Sequence, residues 1–451
     1  MVDYSVLREN DIRGVYGKGI TEDFAFTVGK AFGTYLINNK KYECVVGYDN
    51  RLSGESLVLS VMKGLKSTGI NIKFLGMSTT PFLNYGTMYF NIEAGIMVTA
   101  SHNPSNENGF KLFGDEFLHL RKEELNKVYD LIKSKEYIVG NGNVEYFNLR
   151  KSYLDMLGAY INIGKKRLKV AIDAGNGTTS IYIKDVIKNY NIEPIFINCE
   201  SDGSFPNHNP DPNDDKNLSE LKQRVVSEKC DFGMAFDGDG DRIGIVDENG
   251  NTIESDKLIS IFARHIINKS INKKVIMDVK CSKALEEDII NIGGNPIMVK
   301  NGSAYIETVL KDRNVLIGGE YSGHIFFRDK FYGFDDGIYA GLRMFEILSN
   351  TSKKCSELLD GYNKYYNTPE IKVPTTDDKK WNIVEEVKHY VQSKGYNYLD
   401  IDGVRVTFDD GWALIRCSNT GPNLTMRFEA KTESRLEIIK QEFESLVNSL
   451  I

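Results

Sequence analysis

Short runs of apolar, mostly β-branched residues alternate with amphipathic stretches along most of this chain. Residues 43–47 predict a strand and residues 55–67 a helix, and the alternation starts again at 168–172 and at 274–279. Such alternation is typical of parallel sheets flanked by helices. After a helix predicted at 336–349 the pattern weakens into an α+β arrangement. The chain is therefore predicted to be an α/β protein with a different C-terminal segment.

The composition narrows the class of protein. Of the 451 residues 41% are hydrophobic and 26% charged, and the net charge of −7 argues against a nucleic-acid-binding protein, which normally carries a basic surplus. No apolar run has membrane-spanning length, the first residues lack the apolar core of a signal peptide, and six scattered cysteines form no C-x-x-C pair. We therefore expect a cytoplasmic protein with reduced thiols that binds neither nucleic acid nor membrane.

The length predicts three or more domains, and the pattern divides the chain into four segments. We predict three mixed α/β domains and a C-terminal α+β domain, with the bounds 1–145, 146–252, 253–370 and 371–451. A polar stretch at 133–148 and a stretch rich in Pro, Thr, Asp and Lys at 372–380 are expected to be linkers.

Each predicted domain contains a strand that ends in a polar loop. The four loop sequences are VTASHNP, AFDGDGDR, GGEYSGH and IRCSNTGP, centred on residues 101, 239, 321 and 419. Because ligands of open α/β sheets gather at the carboxyl ends of strands, we expect the four loops to meet at a central cleft. Any α/β protein has polar loops after strands, but these four carry different and complementary chemistry.

The first loop presents Ser101 between an apolar run and the turn-forming residues His102, Asn103 and Pro104. A hydroxyl held in a tight turn beside an imidazole can be a nucleophile or a phosphate carrier. The same residues are also ordinary turn formers. Ser101 is therefore a candidate reactive residue whose role depends on the second loop.

The second loop has the composition of a metal-binding loop, since Asp237, Asp239 and Asp241 alternate with two glycines. Glycines let the backbone curl so that three carboxylates converge on one hard cation, without which they would repel one another. An EF-hand is excluded because its sixth position needs Gly and is Arg242 here, and because the flanking residues are strand-like. Mg²⁺ is the expected ion, with Arg242 as a bidentate donor beside it. A solvated acidic turn is the alternative.

The remaining loops suit a sugar and a phosphate. Glu320 and Ser322 lie on one side of the chain if the segment is extended, and such a pair can bind vicinal hydroxyls, while His324 can transfer protons. Residues 416–422, with the sequence RCSNTGP, are followed by Arg427 and offer a guanidinium, hydroxyls and an amide to a phosphate dianion remote from the metal. Ser-Asn-Thr-Gly is also an ordinary turn sequence.

Together the four loops resemble those of the α-D-phosphohexomutase family, in particular its phosphomannomutase/phosphoglucomutase branch. TASHNP is similar to the family's phosphoserine loop, DGDGDR to its metal loop, GEYSGH to its sugar loop and RCSNTGP to its phosphate loop, in the family's order. Lesser matches lie at 11–14, 173–177, 210–212 and 278–282. The resemblance covers essentially the whole chain and implies three related α/β domains and a C-terminal domain similar to the TATA-binding-protein fold.

The resemblance also implies roles for individual residues. Ser101 would be phosphorylated, would donate and take back the phosphoryl group, and would complete a Mg²⁺ site with Asp237, Asp239 and Asp241. The transferred phosphoryl group would be surrounded by Arg13, Lys111 and Arg242 and positioned by His102, with Lys111 and His324 as the acid/base candidates. The sugar would be bound by Glu320 and Ser322, with Lys280 nearby. The non-reacting phosphate would be bound by Arg416, Ser418, Asn419 and Thr420.

The activity that the resemblance implies is the reversible interconversion of a hexose 1-phosphate and a hexose 6-phosphate, of mannose, glucose or both. The reaction would proceed through a phosphoserine and a hexose 1,6-bisphosphate, and the bisphosphate would also activate the enzyme. The protein is expected to be a monomer or a weak dimer. Because water would hydrolyse the phosphoserine, the fourth domain is expected to close about a hinge at 372–380. A phosphoglucosamine mutase, a metal-dependent sugar phosphatase and a non-catalytic sugar-phosphate sensor are the alternatives.

The chain departs from the family's pattern in two places. Asn10 stands where the family often has Tyr, and in the third segment Ser303 and Glu307 stand where this branch commonly has His and Lys. The handling of phosphate by that segment and the range of substrates are therefore open.

Overall fold

The structure is a computed structural model that describes residues 4–9, 11–114, 117–312, 315–418 and 421–451. The chain divides into two compact units, Met1–Ser255 with Ser322–Leu358, and Asp256–Tyr321 with Leu359–Ile451. Within the described ranges no helix is both long enough and apolar enough to cross a membrane. The six cysteines all lie in those ranges, and they are free, as predicted, and buried.

The first unit begins with a mixed sheet whose central strands are parallel. In chain order, its strands and helices are β1 (Ile12–Val15), α1 (Glu22–Asn38), β2 (Glu43–Tyr48), α2 (Gly54–Lys66), β3 (Asn71–Met77), α3 (Thr80–Phe90), β4 (Gly95–Val98), β5 (Glu107–Phe113), α4 (Lys122–Ser134) and β6 (Val144–Tyr146). The strand order is β1-β5-β4-β2-β3-β6, and β2 pairs in parallel with β3 and β4. The strand predicted at 43–47 and the helix predicted at 55–67 are confirmed. The linker predicted at 133–148 is wrong in part, because β6 pairs with β3.

A second sheet follows in the same unit. Its strands and helices are α5 (Arg150–Gly158), β7 (Leu168–Asp173), α6 (Ser180–Ile187), β8 (Ile192–Ile197), α7 (Ser219–Ser227), β9 (Phe232–Phe236), β10 (Ile243–Asp247) and β11 (Thr252–Ile253). The strand order is β11-β10-β9-β7-β8, and β7 is parallel to β8 and β9. Strands β9 and β10 are antiparallel, with Phe236 opposite Ile243, so the acidic residues between them form a hairpin connection.

The second unit begins with another parallel arrangement. Its first elements are α8 (Ser255–Ile266), whose first residue belongs to the first unit, β12 (Lys274–Asp278), α9 (Lys283–Asn291), β13 (Asn295–Val299), α10 (Ser303–Asp312) and β14 (Ile317–Gly319). Strand β12 pairs in parallel with β13 and β14. The side chain of Ser282 caps α9 by accepting a hydrogen bond from the Ala284 N–H at 3.0 Å.

The chain then returns to the first unit with β15 (Ile325–Phe327) and α11 (Gly337–Ser349). Every residue of α11 is buried, and the helix packs against β7 and β10 of the second sheet. A helix that is apolar on most of its circumference requires such burial. Asp336 caps its first turn by accepting a hydrogen bond from the Tyr339 N–H at 2.9 Å.

The second unit ends in an antiparallel sheet covered by two helices. Its elements are β16 (Tyr366–Asn367), β17 (Ile371–Pro374), α12 (Asp377–Ser393), β18 (Asn397–Leu399), β19 (Val404–Phe408), β20 (Gly411–Cys417), β21 (Asn423–Ala430) and α13 (Glu433–Leu450). The strand order is β16-β21-β20-β19-β18, with β17 also on β21. The core includes Val387 of α12, Ile415 of β20 and Phe443 of α13. The predicted α+β arrangement is confirmed.

The linker predicted at 372–380 is wrong. Strand β17 pairs with β21 from Ile371 to Pro374, and α12 begins at Asp377 with Thr376 as its cap. Polar residues and proline are tolerated at the edge of a sheet, where alternate side chains face water, and Thr and Asp are common at helix starts. An edge strand followed by a helix cap therefore has the composition of a linker.

Candidate active site

Ser101 lies in the turn that follows β4, with its side chain buried. Its φ of 52° is in the left-handed region, which is uncommon for a residue with a side chain. Its N–H donates to Oγ1 of Thr99 at 2.8 Å. Its hydroxyl donates to Oδ2 of Asp237 at 2.9 Å and lies 3.2 Å from Nδ1 of His102. The turn thus directs the Ser101 hydroxyl to a carboxylate that is 136 residues away in sequence.

The acidic loop between β9 and β10 is buried against the serine turn. Asp237, Asp239 and Asp241 are each at most 1% exposed, and each offers an oxygen such that the three lie within 4.8 Å of one another. A Cβ on Gly238 would collide with the carbonyl oxygen of Ser101. Glycine is therefore required where the two loops touch, and the strand-like flanks expected for this loop are confirmed.

Lys111 of β5 is the cation closest to this loop that the described residues show. Its Nζ lies 2.7 Å from Oδ2 of Asp239 and 2.5 Å from Oδ2 of Asp241. Burial opposes charging of Lys111, but the neighbouring aspartates raise its pKa above the ordinary value. Burial and repulsion by the other two carboxylates raise the pKa of Asp237 well above its ordinary value. Lys111 and the Arg242 guanidinium, whose Nε is 3.8 Å from Oδ2 of Asp237, thus place two positive charges beside three buried carboxylates.

The acidic loop fits a hard divalent cation. Within the described part of the chain, Oδ1 of Asp239 and Oδ1 of Asp241 are buried and have no hydrogen-bond partner. Buried carboxylate oxygens are normally paired, and an unpaired one is costly. Three convergent carboxylates, two of them with an oxygen that accepts no hydrogen bond from the described residues, are the donor set that Mg²⁺ or Ca²⁺ prefers.

Arg242, His324 and Asp335 form a chain of hydrogen bonds beside the acidic loop. Nε of Arg242 donates to Nε2 of His324 at 2.9 Å, and Nδ1 of His324 lies 2.6 Å from Oδ2 of Asp335. Because Nε2 is an acceptor, the ring proton is assigned to Nδ1 and is donated to Asp335. Nε of Arg242 is 3.8 Å from Oδ2 of Asp237, so the chain also orients a guanidinium toward the acidic loop.

Two more predicted residues lie at the serine turn. Arg13 of β1 donates from Nη1 to Oδ1 of Asn103 at 3.0 Å and from Nη2 to Oδ2 of Asp11 at 2.6 Å. His102 is next to the Ser101 hydroxyl, and burial together with the positive charges of Arg242 and Arg13 lowers its pKa well below the ordinary value. His102 is therefore neutral, and its Nδ1 can accept or donate according to the tautomer.

The second unit holds another group of predicted residues, organised around Asn301. Oε1 of Glu320 accepts hydrogen bonds from Nδ2 of Asn301 at 3.0 Å and from the Gly302 N–H at 2.6 Å. The same Nδ2 donates to Oδ2 of Asp278 at 2.9 Å. Glu320 is buried, and these bonds define which of its oxygens faces the backbone.

Lys280 and Arg416 belong to the same unit and are each paired with a carboxylate. Nζ of Lys280 is 2.9 Å from Oε1 of Glu370, and Nε of Arg416 donates to Oδ2 of Asp402 at 3.0 Å. Burial opposes charging of Lys280, but the negative charge of Glu370 raises its pKa. Oδ2 of Asp402 also accepts from the Asn301 N–H at 3.1 Å. Asp402 thus connects Arg416 to the residue that holds Glu320.

The remaining predicted residues are Ser322, Ser418, Asn419 and Thr420, and the structure describes the first two. Ser322 is in a turn rather than in the extended segment that the sequence analysis assumed, and its carbonyl accepts from Nδ2 of Asn213. The carbonyl of Ser418 accepts from Nζ of Lys380 at 3.1 Å. The predicted residues Asn419 and Thr420 and the noted position Asn10 lie outside the described residues.

The two departures in the third segment both lie at α10. Ser303 is the first residue of this helix, and Glu307 is buried one turn later, with 3% of its surface exposed. A hydroxyl and a buried carboxylate thus replace the cationic groups that the family pattern led us to expect there.

Sequence reasoning missed several residues that hold the predicted ones in place. They are Asp335, Asn301, Asp402 and Glu370. Asp335 directly precedes a helix cap, which gives it the appearance of another capping residue. The others carry no local signal, because each acts on a partner that is distant in sequence.

Family models match this chain along nearly its whole length. They are described as Phosphoglucomutase/phosphomannomutase, alpha/beta/alpha domain I over residues 5–138, domain II over 151–250, domain III over 254–365, and the C-terminal domain over 370–446. The class of protein is a phosphohexomutase, an isomerase built from three α/β domains and a C-terminal domain. This chain belongs to the phosphoglucomutase/phosphomannomutase family, so the resemblance and the fold class expected from the loops are confirmed.

Individual relatives match over the same length. A phosphomannomutase/phosphoglucomutase of Pseudomonas aeruginosa is 37% identical over 448 residues, which are 99% of this chain and 96% of that protein. A phosphoglucomutase of Neisseria gonorrhoeae is 36% identical over 450 residues, 98% of this chain and 97% of that protein. The structure of a family member from Burkholderia thailandensis has a TM-score of 0.92 at 31% identity and covers 100% of this chain and 98% of that chain.

Proposed function

We propose that this protein interconverts hexose 1-phosphates and hexose 6-phosphates, of mannose, glucose or both, through a phosphoserine at Ser101 and a hexose 1,6-bisphosphate. The observation that carries this proposal is the 2.9 Å hydrogen bond from the Ser101 hydroxyl to Asp237 in the acidic loop. A serine at that position can carry a phosphoryl group whose negative charge is next to a cation site. The names of the relatives in Pseudomonas and Neisseria support the choice of mannose and glucose phosphates.

Mg²⁺ is the proposed cofactor. Asp237, Asp239 and Asp241 would hold it together with an oxygen of phosphorylated Ser101. The bound ion would neutralise negative charge on the phosphoryl group that is transferred. Oδ1 of Asp239 and Oδ1 of Asp241, which accept no hydrogen bond from any residue that the structure describes, support this assignment.

In the first half of the reaction the phosphoryl group passes from Oγ of Ser101 to the free hydroxyl of the bound sugar phosphate. The bond from phosphorus to the serine oxygen breaks, a bond to the sugar oxygen forms, and the sugar hydroxyl proton passes to a base while Ser101 regains one. His324, whose Nε2 is an acceptor, is the candidate base, and the Lys111 ammonium is the candidate acid. Arg13, Arg242 and Lys111 supply the positive charge that stabilises the transferred group, and neutral His102 orients it.

The second half returns the other phosphate to Ser101, so the bisphosphate must turn end for end. We assign Glu320 and Ser322 to the sugar hydroxyls, with Lys280 near the sugar. Arg416 and Ser418, together with Asn419 and Thr420, are assigned to the phosphate that does not react. The buried carboxylate of Glu320 and the paired guanidinium of Arg416 support these roles.

Replacement of Ser101 tests the proposal. The Ser101→Ala protein, with Mg²⁺, glucose 1-phosphate and glucose 1,6-bisphosphate, should lose turnover in a coupled assay for glucose 6-phosphate and should gain no phosphoryl mass. Ser105→Ala changes a serine in the same loop and is the matched control, with wild-type turnover expected. Normal turnover of the Ser101→Ala protein would refute the phosphoserine mechanism.

The same assay separates the alternatives. A sugar phosphatase releases inorganic phosphate, a phosphoglucosamine mutase prefers glucosamine 1-phosphate over glucose and mannose 1-phosphate, and a sensor binds sugar phosphate without turnover. The proposal requires isomeric sugar phosphate from mannose or glucose 1-phosphate with little inorganic phosphate.

A further inference from the structure

The geometry points to Arg51 as the positioning residue that holds the Ser101 turn in place for phosphoryl transfer. Arg51 lies between β2 and α2, is 2% exposed, and belongs to none of the loops that the sequence singled out. The inference rests on the proposed role of Ser101 as phosphoryl carrier.

All five N–H groups of the Arg51 guanidinium are used, and four of them hold the serine turn. Nη2 donates to the carbonyl oxygens of Ser101 and Asn103, both at 2.6 Å. Nη1 donates to the carbonyl oxygens of Pro104 at 2.6 Å and Glu107 at 3.0 Å. A guanidinium has five donors in a rigid plane, so these bonds define where the turn lies relative to β2.

The fifth donor connects Arg51 to the other side of Ser101. Nε donates to Oδ2 of Asp49 at 3.1 Å, and that oxygen also accepts from Oγ1 of Thr99 at 2.6 Å. Thr99 in turn accepts from the Ser101 N–H at 2.8 Å. The carbonyl of Ser101 is thus held directly by Arg51, and its N–H is held through Asp49 and Thr99.

The bonds to both peptide groups of Ser101 stabilise its backbone conformation. Its φ of 52° is disfavoured for a residue with a Cβ and persists only when the surroundings impose it. That backbone conformation directs Oγ to Asp237. If the turn relaxed to an ordinary conformation, the hydroxyl would leave the acidic loop.

The burial of the ion pair between Asp49 and Arg51 is better explained by a role in positioning the Ser101 turn than by a contribution to the stability of the fold. The side chains of Asp49 and Arg51 are both 0% exposed. A buried ion pair gives little net stability compared with apolar residues of similar size, because removing two charges from water is costly. A phosphoserine that gives up a phosphoryl group and regains it from a reoriented intermediate needs the same oxygen position in both steps.

Arg51→Lys is the test, because lysine keeps the charge but has three donors and no planar fork. We expect the wild-type protein and the variant to be labelled at Ser101 by glucose 1,6-bisphosphate, as read by intact mass. The kcat per labelled enzyme should fall about 100-fold, the size expected for a misplaced reacting group. The KM for glucose 1-phosphate should stay within about twofold, since ground-state binding of the sugar phosphate is not changed.

The decisive readout is the partition of the phosphoryl group between sugar and water. In the Arg51→Lys protein a larger fraction of the label on Ser101 should appear as inorganic phosphate. This ratio does not depend on how much of the protein is folded, so a merely structural role would not change it. Arg343→Lys is the matched control, because Arg343 is also a buried arginine of the first unit, bound to Asp329 at 2.8 Å through both Nη atoms.

Wild-type kcat per labelled enzyme and wild-type partition in the Arg51→Lys protein would overturn the inference. If that protein does not fold, Thr99→Val decides, since it breaks the connection to the Ser101 N–H and leaves Arg51 in place. A shifted partition in the Thr99→Val protein supports the inference, and a wild-type partition overturns it. Absence of label on the wild-type protein would instead refute the proposed function, and the role of Arg51 with it.

Discussion

Arg242 donates a hydrogen bond from Nε to Nε2 of His324, and the two atoms are 2.9 Å apart. The opposite side of the same ring faces Asp335, with Nδ1 2.6 Å from Oδ2. His324 therefore connects a buried carboxylate to a guanidinium beside the acidic loop. A proton shift between the two ring nitrogens would remove the acceptor that holds Arg242, so the tautomer of His324 decides how that guanidinium is oriented.

Asp335→Asn should disturb this arrangement without removing an atom from the ring. The amide can donate to Nδ1 of His324, which favours the tautomer with the proton on Nε2 and opposes the Arg242 bond. We expect kcat to fall about 10- to 100-fold, the size found for residues that orient a metal-ligating histidine through its other ring nitrogen. The ¹⁵N shifts of the His324 ring report the tautomer. Asp336→Asn changes the neighbouring carboxyl group, and its amide oxygen can still accept from the Tyr339 N–H, so it should keep the wild-type tautomer. An unchanged kcat in the Asp335→Asn protein would contradict the prediction.

Lys111→Met should make the protein more dependent on a divalent cation for its stability. Removing the ammonium leaves three buried carboxylates without their nearest positive charge, so the melting temperature in EDTA should fall. Mg²⁺ should then raise the melting temperature more than it does for the wild type, because the ion no longer competes with Lys111. Differential scanning fluorimetry with and without Mg²⁺ measures both effects. Lys73→Met removes a lysine paired with Glu145 at the surface and is the control. An Mg²⁺-induced shift no larger than that of the wild type would be evidence against the acidic loop as the cation site.

Asp402→Asn should weaken substrate binding more than catalysis. Asp402 holds Nε of Arg416, so its loss frees the guanidinium that we assign to the non-reacting phosphate. The KM for glucose 1-phosphate should rise about tenfold, which corresponds to one charge-assisted hydrogen bond, with a smaller change in kcat. Asp400→Asn alters an exposed aspartate paired with Lys388 and should leave KM unchanged. Equal KM values in the two variants would argue against this role of Asp402.

His208 should titrate above the ordinary range for histidine. Burial opposes its charging, but the hydrogen bond from Nε2 to Asp173 at 3.1 Å, together with the Asp173 charge, raises the pKa of His208. A raised pKa means that the pair stabilises the folded protein below the ordinary pKa of about 6.5, and that this contribution is lost as the pH rises through the raised value. NMR titration of ¹³C-labelled histidines gives the pKa directly. Asp173→Asn should lower it, and a His208 pKa that is the same in both proteins would refute the assignment.

The fold and the chemistry of the loops could be predicted from the sequence because both have local signals. The alternation of β-branched runs with amphipathic stretches predicted the mixed sheets, and Asp-Gly-Asp-Gly-Asp between two apolar runs predicted a connection between strands. The same local signals failed at 372–380, where an edge strand and the Thr376 cap share the composition of a linker.

The residues that hold the site in place could not be predicted, because nothing near them in sequence indicates their partners. Arg51 binds carbonyl groups 50 to 56 positions away. Asn301 holds Glu320 because β13, which precedes Asn301, and β14, which precedes Glu320, both pair with β12. The packing of sheets and helices decides which donor groups lie within hydrogen-bond distance of these oxygens.

The sequence by itself determined the class of fold, the order of the four loops and the kinds of side chain that each presents, since these depend on periodicity and turn composition within short windows. Only the tertiary structure decided that the Ser101 hydroxyl meets Asp237, that Lys111 is the counter-ion of the acidic loop, and that His324 carries its proton toward Asp335. The physical reason is that hydrogen bonds and charge interactions depend on distances of a few ångströms between atoms far apart in the chain, and the packing of buried elements sets those distances.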